Sequence, residues 1–128
     1  MSVPLRVLVI DDEKGLRDML CYGLRRMKFE VDTAENGEKG IARALAGGFD
    51  VVICDVMMPG LDGMAVLEML KREEPGLEII MVTGIPDDEM AARALKLGAF
   101  DYLGKPYDLT VLFDLIEKAG ARRRLSIS

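Results

Sequence analysis

The feature that most constrains this chain is a strict alternation. Five short apolar runs are each followed by a segment with helical periodicity. Leu5–Ile10 ends almost wholly apolar, as a strand covered on both faces does. Leu16, Met19, Leu20, Gly23, Leu24 and Met27 then recur at i, i+3, i+4 spacing, which predicts an amphipathic helix. The second unit is Phe29–Ala34 and a short helix opened by Asn36-Gly37, with Ile41, Ala44 and Leu45 inward and Gly47-Gly48 closing it. Val51–Cys54 predicts a third strand ending at Asp55, and Asp62 then caps a helix carrying Val66, Leu67 and Leu70. Pro75-Gly76 precedes a fourth strand, Leu77–Val82, which ends at Thr83. Asp87-Asp88 open a helix with Met90, Ala91, Ala94 and Leu95, stopped by Gly98. Ala99–Leu103 reads as the fifth strand. Beyond Lys105-Pro106, an Asp108-capped helix carries Leu112, Leu115, Ile116 and Ala119.

Strands alternating with helices in this way build a parallel sheet with helices on both faces. Right-handed crossovers leave few topologies, and the expected fold is an α/β three-layer sandwich of flavodoxin-like type, strand order 2-1-3-4-5. With 128 residues and no internal linker or repeat, one domain is expected over 1–128. Its core spans about 5–120, with a basic helix end over 121–128 that contains Arg122, Arg123 and Arg124. That basic run reads as a solvated helix terminus favoured by the helix dipole.

Composition excludes several chemistries. The chain has no histidine, so it holds no Ser-His-Asp or Cys-His triad, no His-ligated zinc and no phosphohistidine of its own. Lys and Arg number 17 against 22 Asp and Glu, a net charge of -5, and such a surface repels nucleic-acid backbones. Cys21 and Cys54 lack CxxC spacing and sit among apolar residues, as reduced core thiols do. The apolar runs are far shorter than a membrane span, and the first residues lack a basic stretch followed by an apolar one. A cytoplasmic protein without membrane or direct nucleic-acid contacts is therefore expected.

Ligands of an open parallel sheet bind beyond the carboxyl ends of its strands, where the strand order reverses. Asp11-Asp12 follow strand one, Asp55 ends strand three, Thr83 ends strand four and Lys105 follows strand five. Three close carboxylates repel one another, and a hard divalent cation such as Mg²⁺ relieves the conflict. The cation also draws phosphate oxygens, while Lys105 and Thr83 can hold others. The nearby nucleophiles are carboxylates, and Asp55, on the central strand, is placed to become an acyl phosphate.

These residues carry a resemblance. Asp11-Asp12, the run Asp55-Val56-Met57-Met58-Pro59-Gly60-Leu61-Asp62-Gly63, Thr83-Gly84 and Ala99–Pro106 resemble the receiver domain of bacterial two-component response regulators, and the likeness extends over essentially the whole chain. The resemblance implies that Asp55 receives a phosphoryl group from a phosphohistidine on a sensor histidine kinase or phosphotransfer protein. It implies Mg²⁺ held by Asp12, Asp55 and the Met57 backbone carbonyl, with Asp11 acting through water. It implies that Lys105 contacts the phosphoryl group, that Thr83 moves toward it, and that Tyr102 is an aromatic switch which turns inward. A cis peptide before Pro106, a helix 4–strand 5–helix 5 output surface and dimerisation on phosphorylation belong to the same set. The Gly98–Leu103 and Tyr107-Asp108 wording is similar to receivers of the nitrogen-regulator type and of hybrid kinases. Which output the domain serves, alone or within a longer protein, the residues leave open.

Met57, two residues after Asp55, offers no polar side chain to assist an attacking water, which predicts a comparatively long-lived phosphorylated state. The same residue weighs against a small Mg-dependent phosphatase that works through an aspartyl phosphate, because that chemistry wants a second Asp there as general acid. A flavodoxin-type redox module is disfavoured because Asp11-Asp12-Glu13 repels a flavin phosphate. A degenerate receiver that only docks to partners is the remaining alternative, disfavoured by the intact acidic set.

Overall fold

The computed structural model describes residues 3–127. Five strands, β1 (Arg6–Ile10), β2 (Glu30–Ala34), β3 (Val51–Asp55), β4 (Glu78–Thr83) and β5 (Asp101–Gly104), pair in parallel in the order β2-β1-β3-β4-β5. The helices α1 (Lys14–Arg26), α2 (Gly37–Ala46), α3 (Gly63–Glu73), α4 (Asp88–Lys96) and α5 (Leu109–Ile127) alternate with them. This is the expected architecture and strand order. The fifth strand begins two residues later than expected, because the Ala99 and Phe100 amides are taken by Ala94 and by Ile79 of β4.

The pleat divides the core into two layers. Leu8, Ile10, Val52, Cys54, Ile79 and Met81 face the side covered by α2, α3 and α4. Val7, Val9, Val51, Ile53, Ile80 and Val82 face the side covered by α1 and α5. Successive strand residues point to opposite faces, so an unbroken apolar run serves both layers at once. Each fully buried side chain such as Leu8, Leu67 or Ile80 contributes roughly 1.5–3 kcal/mol of transfer free energy. Side-chain caps start four helices: Asn36 accepts from the Lys39 amide, Asp62 from Ala65, Asp87 from Glu89 and Met90, and Asp108 from Thr110.

Periodicity overstates the inward face of some helices. Leu45, expected inward, is 40% exposed, and Met19 and Leu95 on the periodic stripes of α1 and α4 are about half exposed. The apolar stripe is wider than the strip of sheet each helix covers, so its flanks reach solvent.

The basic end of α5 requires a larger correction. The terminus is partly solvated, as expected, but its arginines are also bound to the protein, because the last turns of α5 reach the amino-terminal edge of the sheet. Arg122 grips the buried Glu78 carboxylate through Nε and Nη2, and its guanidinium lies 4.8 Å from the Phe100 ring centroid. Lys71 of α3 reaches the same carboxylate at 3.8 Å. Arg124 donates to the Val3 and Pro4 carbonyls and reaches Asp50 Oδ2 at 3.3 Å, while Asp50 also accepts from the Arg6 amide. The physical reason is burial. Glu78 and Asp50 are 4% and 8% exposed, and carboxylates so withdrawn from water require counter-charge.

Candidate functional site

The register of the sheet assembles the site. Ile10 of β1 pairs with Cys54 of β3, so the residues that follow, Asp11 and Asp55, leave the sheet side by side. Asp55 pairs with Val82, placing Thr83 one position beyond, and Thr83 pairs with Gly104, placing Lys105 next. The Lys105 amide donates to the Thr83 carbonyl at 2.6 Å, and the Lys105–Pro106 peptide is cis. Gly63 is the close approach on the other side: a Cβ there would overlap the Asp55 carbonyl oxygen, so only glycine lets α3 start against β3.

Carboxylate oxygens of Asp11, Asp12 and Asp55 lie within 4.8 Å of one another. Lys105 Nζ stands 3.0 Å from Asp55 Oδ2 and 3.4 Å from Asp11 Oδ2. The second oxygen of Asp55 accepts from the Met57 amide at 3.0 Å, and that of Asp11 from the Glu13 amide at 2.9 Å. Asp11 and Asp55 are buried, whereas Asp12 is exposed and makes no hydrogen bond or ion pair among the described residues. One ammonium thus serves two carboxylates of the three, and the third has no counter-charge among the described residues.

The titration behaviour follows from this imbalance. Burial raises the Asp11 carboxyl above its ordinary value, opposed by the Glu13 amide and Lys105 and reinforced by the Asp55 charge. Burial works against the Lys105 ammonium too. Its hydrogen bonds and attraction to Asp55 and Asp11 outweigh that, and its pKa is raised. Burial, followed by the Asp55 charge, pushes the Cys54 thiol far up, so it is no competing nucleophile. A hard divalent cation fits this all-oxygen donor set, with Asp12 unengaged and open to water.

Thr83 is buried at the rim, but its hydroxyl is turned to its own loop, accepting from the Ile85 amide at 3.2 Å. Tyr102 packs against the core layer under α2–α4, and its hydroxyl is sealed from solvent without a hydrogen-bond partner. Burial raises that phenol, with Asp87 and Thr83 as its polar neighbours. The structure therefore brings together Asp11, Asp12, Asp55 and Lys105 and leaves the Thr83 hydroxyl and Tyr102 beside them, outside their hydrogen-bond network. Met57 contributes its amide to Asp55 and leaves its side chain largely exposed.

Two residues near the pocket escape a reading of the sequence. Tyr107 has a buried, unpartnered hydroxyl, with Lys105, Asp11 and Asp55 as its charged neighbours. Arg17 donates from Nη1 to the Asp11 backbone carbonyl at 2.7 Å. The second had a faint signal, since i+6 from an acidic loop is one reach back along the first turns of a helix.

Known proteins share this chain's sequence pattern and fold. A family model described as the response regulator receiver domain matches residues 7–117. The transcriptional regulatory protein CusR of Escherichia coli is 36% identical over 103 residues, covering 80% of this chain and 45% of CusR. The DNA-binding transcriptional regulator NtrC of Salmonella typhimurium is 37% identical over 113 residues, 88% of this chain and 24% of NtrC. The chain therefore spans less than half the length of these relatives. Among solved structures, a response regulator receiver domain protein from Clostridium thermocellum superposes with a TM-score of 0.89 at 36% identity, covering 94% of this chain and 98% of its own. TrrA from Thermotoga maritima, solved with Mg²⁺ and BeF, gives a TM-score of 0.82 at 30% identity, covering 90% and 98%. With its sheet order, its acidic pocket and a match over most of its length, this chain belongs to the response regulator receiver domain family.

Proposed function

We propose that Asp55 is the phosphoacceptor of this receiver domain and that a phosphohistidine on a sensor histidine kinase or phosphotransfer protein is its donor. A carboxylate oxygen of Asp55 forms the new O–P bond as the P–N bond to the donor imidazole breaks and the imidazole keeps the electron pair. The observation that carries this reading is the position of Asp55, at the end of the fully buried central strand β3 with Lys105 on its Oδ2. Phosphoryl transfer asks the protein mainly for positioning and charge neutralisation. Lys105 supplies a mobile cation that can leave the carboxylate for an incoming phosphoryl oxygen. The Met57 amide on Oδ1 fixes the rotation of the Asp55 carboxylate and leaves Oδ2 as the reactive oxygen.

Asp12, Asp55 and the Met57 carbonyl would hold Mg²⁺, with Asp11 acting through water. The ion, when bound, neutralises phosphoryl charge. Thr83 is the residue that must let go of its own loop: its hydroxyl gains a phosphoryl oxygen only by releasing the Ile85 amide. Tyr102, packed beneath that loop, senses the change, and the α4–β5–α5 surface has two packings for the modified and unmodified states. Output is then a partner or attached domain that distinguishes them, or a dimer formed on phosphorylation. The domain works in the cytoplasm as a signalling module, turning over only its own aspartyl phosphate.

The test is intact-mass measurement of the chain after incubation with MgCl₂ and acetyl phosphate. One phosphoryl adduct per chain, lost in Asp55→Asn and when the cation is chelated, is the expected outcome. An adduct that persists in Asp55→Asn refutes the assignment, and continuous release of phosphate from simple esters favours a phosphatase instead.

A further inference from the structure

Arg17 makes no ion pair among the described residues. Two acidic side chains in its vicinity are already claimed, Asp18 by Lys14 at 2.7 Å and Glu35 by Lys39. Both carboxyls are held below their ordinary value chiefly by those lysines, with Arg17 a minor influence. The half-buried guanidinium turns instead to a backbone oxygen, the carbonyl of Asp11, at 2.7 Å. That completes Asp11. Its amide donates to the Ala34 carbonyl at 3.1 Å, one carboxylate oxygen accepts from Glu13 and the other faces Lys105. The contrast with the next residue is sharp, since Asp12 is exposed and unpartnered among the described residues.

The carbonyl of Asp11 and the amide of Asp12 belong to one rigid, planar peptide unit. A donor that grips the oxygen fixes the plane and therefore sets where the chain enters Asp12. We infer that Arg17 is a positioning residue for cation binding: it holds the Asp11–Asp12 peptide so that the otherwise unsupported Asp12 carboxylate meets those of Asp11 and Asp55. The inference rests on the reading of the acidic pocket as a Mg²⁺ site. It adds to that reading a residue on α1, outside the carboxylate set, whose charge has the wrong sign for a cation site and whose geometry has the right one.

That opposition makes the test decisive. A positive charge near a cation site repels the cation, so removing it for purely electrostatic reasons tightens binding. Removing an outer support of a metal ligand weakens binding, about tenfold or more. Mg²⁺ affinity of the unphosphorylated chain is measured by calorimetric titration with MgCl₂ for the parent, Arg17→Gln and Arg25→Gln. Arg25 serves as the charge control because it lies on the same helix and donates to the Val31 carbonyl, away from the acidic loop. The expected result is Mg²⁺ affinity lower by about tenfold in Arg17→Gln, unchanged or slightly higher in Arg25→Gln, with the same thermal midpoint for both in chelator. Unchanged or tighter binding in Arg17→Gln overturns the inference, as does a loss accompanied by an equal loss in Arg25→Gln. Should Arg17→Gln fail to fold, Arg17→Lys replaces it; a drop of about threefold supports the inference and none overturns it. If the parent chain itself takes up no Mg²⁺, the reading of the pocket fails first, and that result is recognisable without any variant.

Discussion

The two ends of the sheet carry similar charges and treat them in opposite ways. At the amino-terminal edge, the buried carboxylates of Glu78 and Asp50 are met by Arg122, Lys71 and Arg124, and each negative charge has its counter-charge. At the carboxyl-terminal edge, Asp11 and Asp55 share the ammonium of Lys105, and Asp12 beside them has no ion pair among the described residues. The first arrangement is closed and ties α5 to β3 and β4. The second is open and carries an excess of negative charge, which a divalent cation would relieve. Burial of a carboxylate therefore does not by itself mark a reactive site. The charge left over after the local partners are counted does.

The largest effect should come from Asp55→Asn. It is expected to abolish the phosphoryl adduct while the chain still folds, read by intact mass together with circular dichroism. If the variant retains the adduct, the open edge is not the reactive one. The closed edge is probed by Arg122→Ala, which leaves Glu78 buried with Lys71 as its remaining cation. Breaking such a pair should cost about 2 kcal/mol in urea unfolding, at the lower end because the Arg122 guanidinium is itself partly in water. Phosphorylation by acetyl phosphate should be unaffected. A triple change, Glu78→Leu with Arg122→Met and Lys71→Met, should restore much of the stability, because apolar residues then replace the carboxylate together with both its cations.

A smaller change is expected from Met57→Asn. The amide side chain can orient a water toward the aspartyl phosphate, shortening its lifetime several-fold by the decay of the mass adduct; an unchanged lifetime removes Met57 from the hydrolytic step. The smallest effect tests the excess charge of the open edge directly. The fold raises the Asp11 pKa, chiefly by burial, so the ionised form is disfavoured in the native state. A raised carboxyl penalises the fold above its ordinary value and ceases to do so below it. Asp11→Asn should therefore raise the thermal midpoint by a few degrees at neutral pH in chelator, and the gain should vanish as the pH falls below 4. A lower midpoint for the variant at neutral pH would show that this excess charge does not weigh on the fold.

The open edge was legible in the sequence and the closed edge was not, for a physical reason. Asp11, Asp55, Thr83 and Lys105 each follow an apolar strand, and in a parallel sheet the residue after a strand has a known place. Arg122 and Glu78 are 44 residues apart, and Arg124 and Asp50 are 74 apart. No local period links them, because their meeting depends on α5 being long enough to cross the sheet face and reach its amino-terminal edge. The same limit applies to Arg17, whose partner is a backbone oxygen, a group every residue has. Leu45 and Leu95 misled for a narrower reason: apolar spacing finds a helix stripe but not the width of the surface that covers it.

The division of the strands between two core layers also bears on how the site withstands change. Val51 and Ile53 belong to one layer and Val52 and Cys54 to the other, and Asp55 continues the same count. Deleting one residue from β3 would exchange the occupants of both layers and carry the terminal carboxylate around to the wrong side. Substitutions of size and shape in that strand leave this count intact, so the place of the terminal carboxylate is set by hydrophobic neighbours on both faces of the sheet.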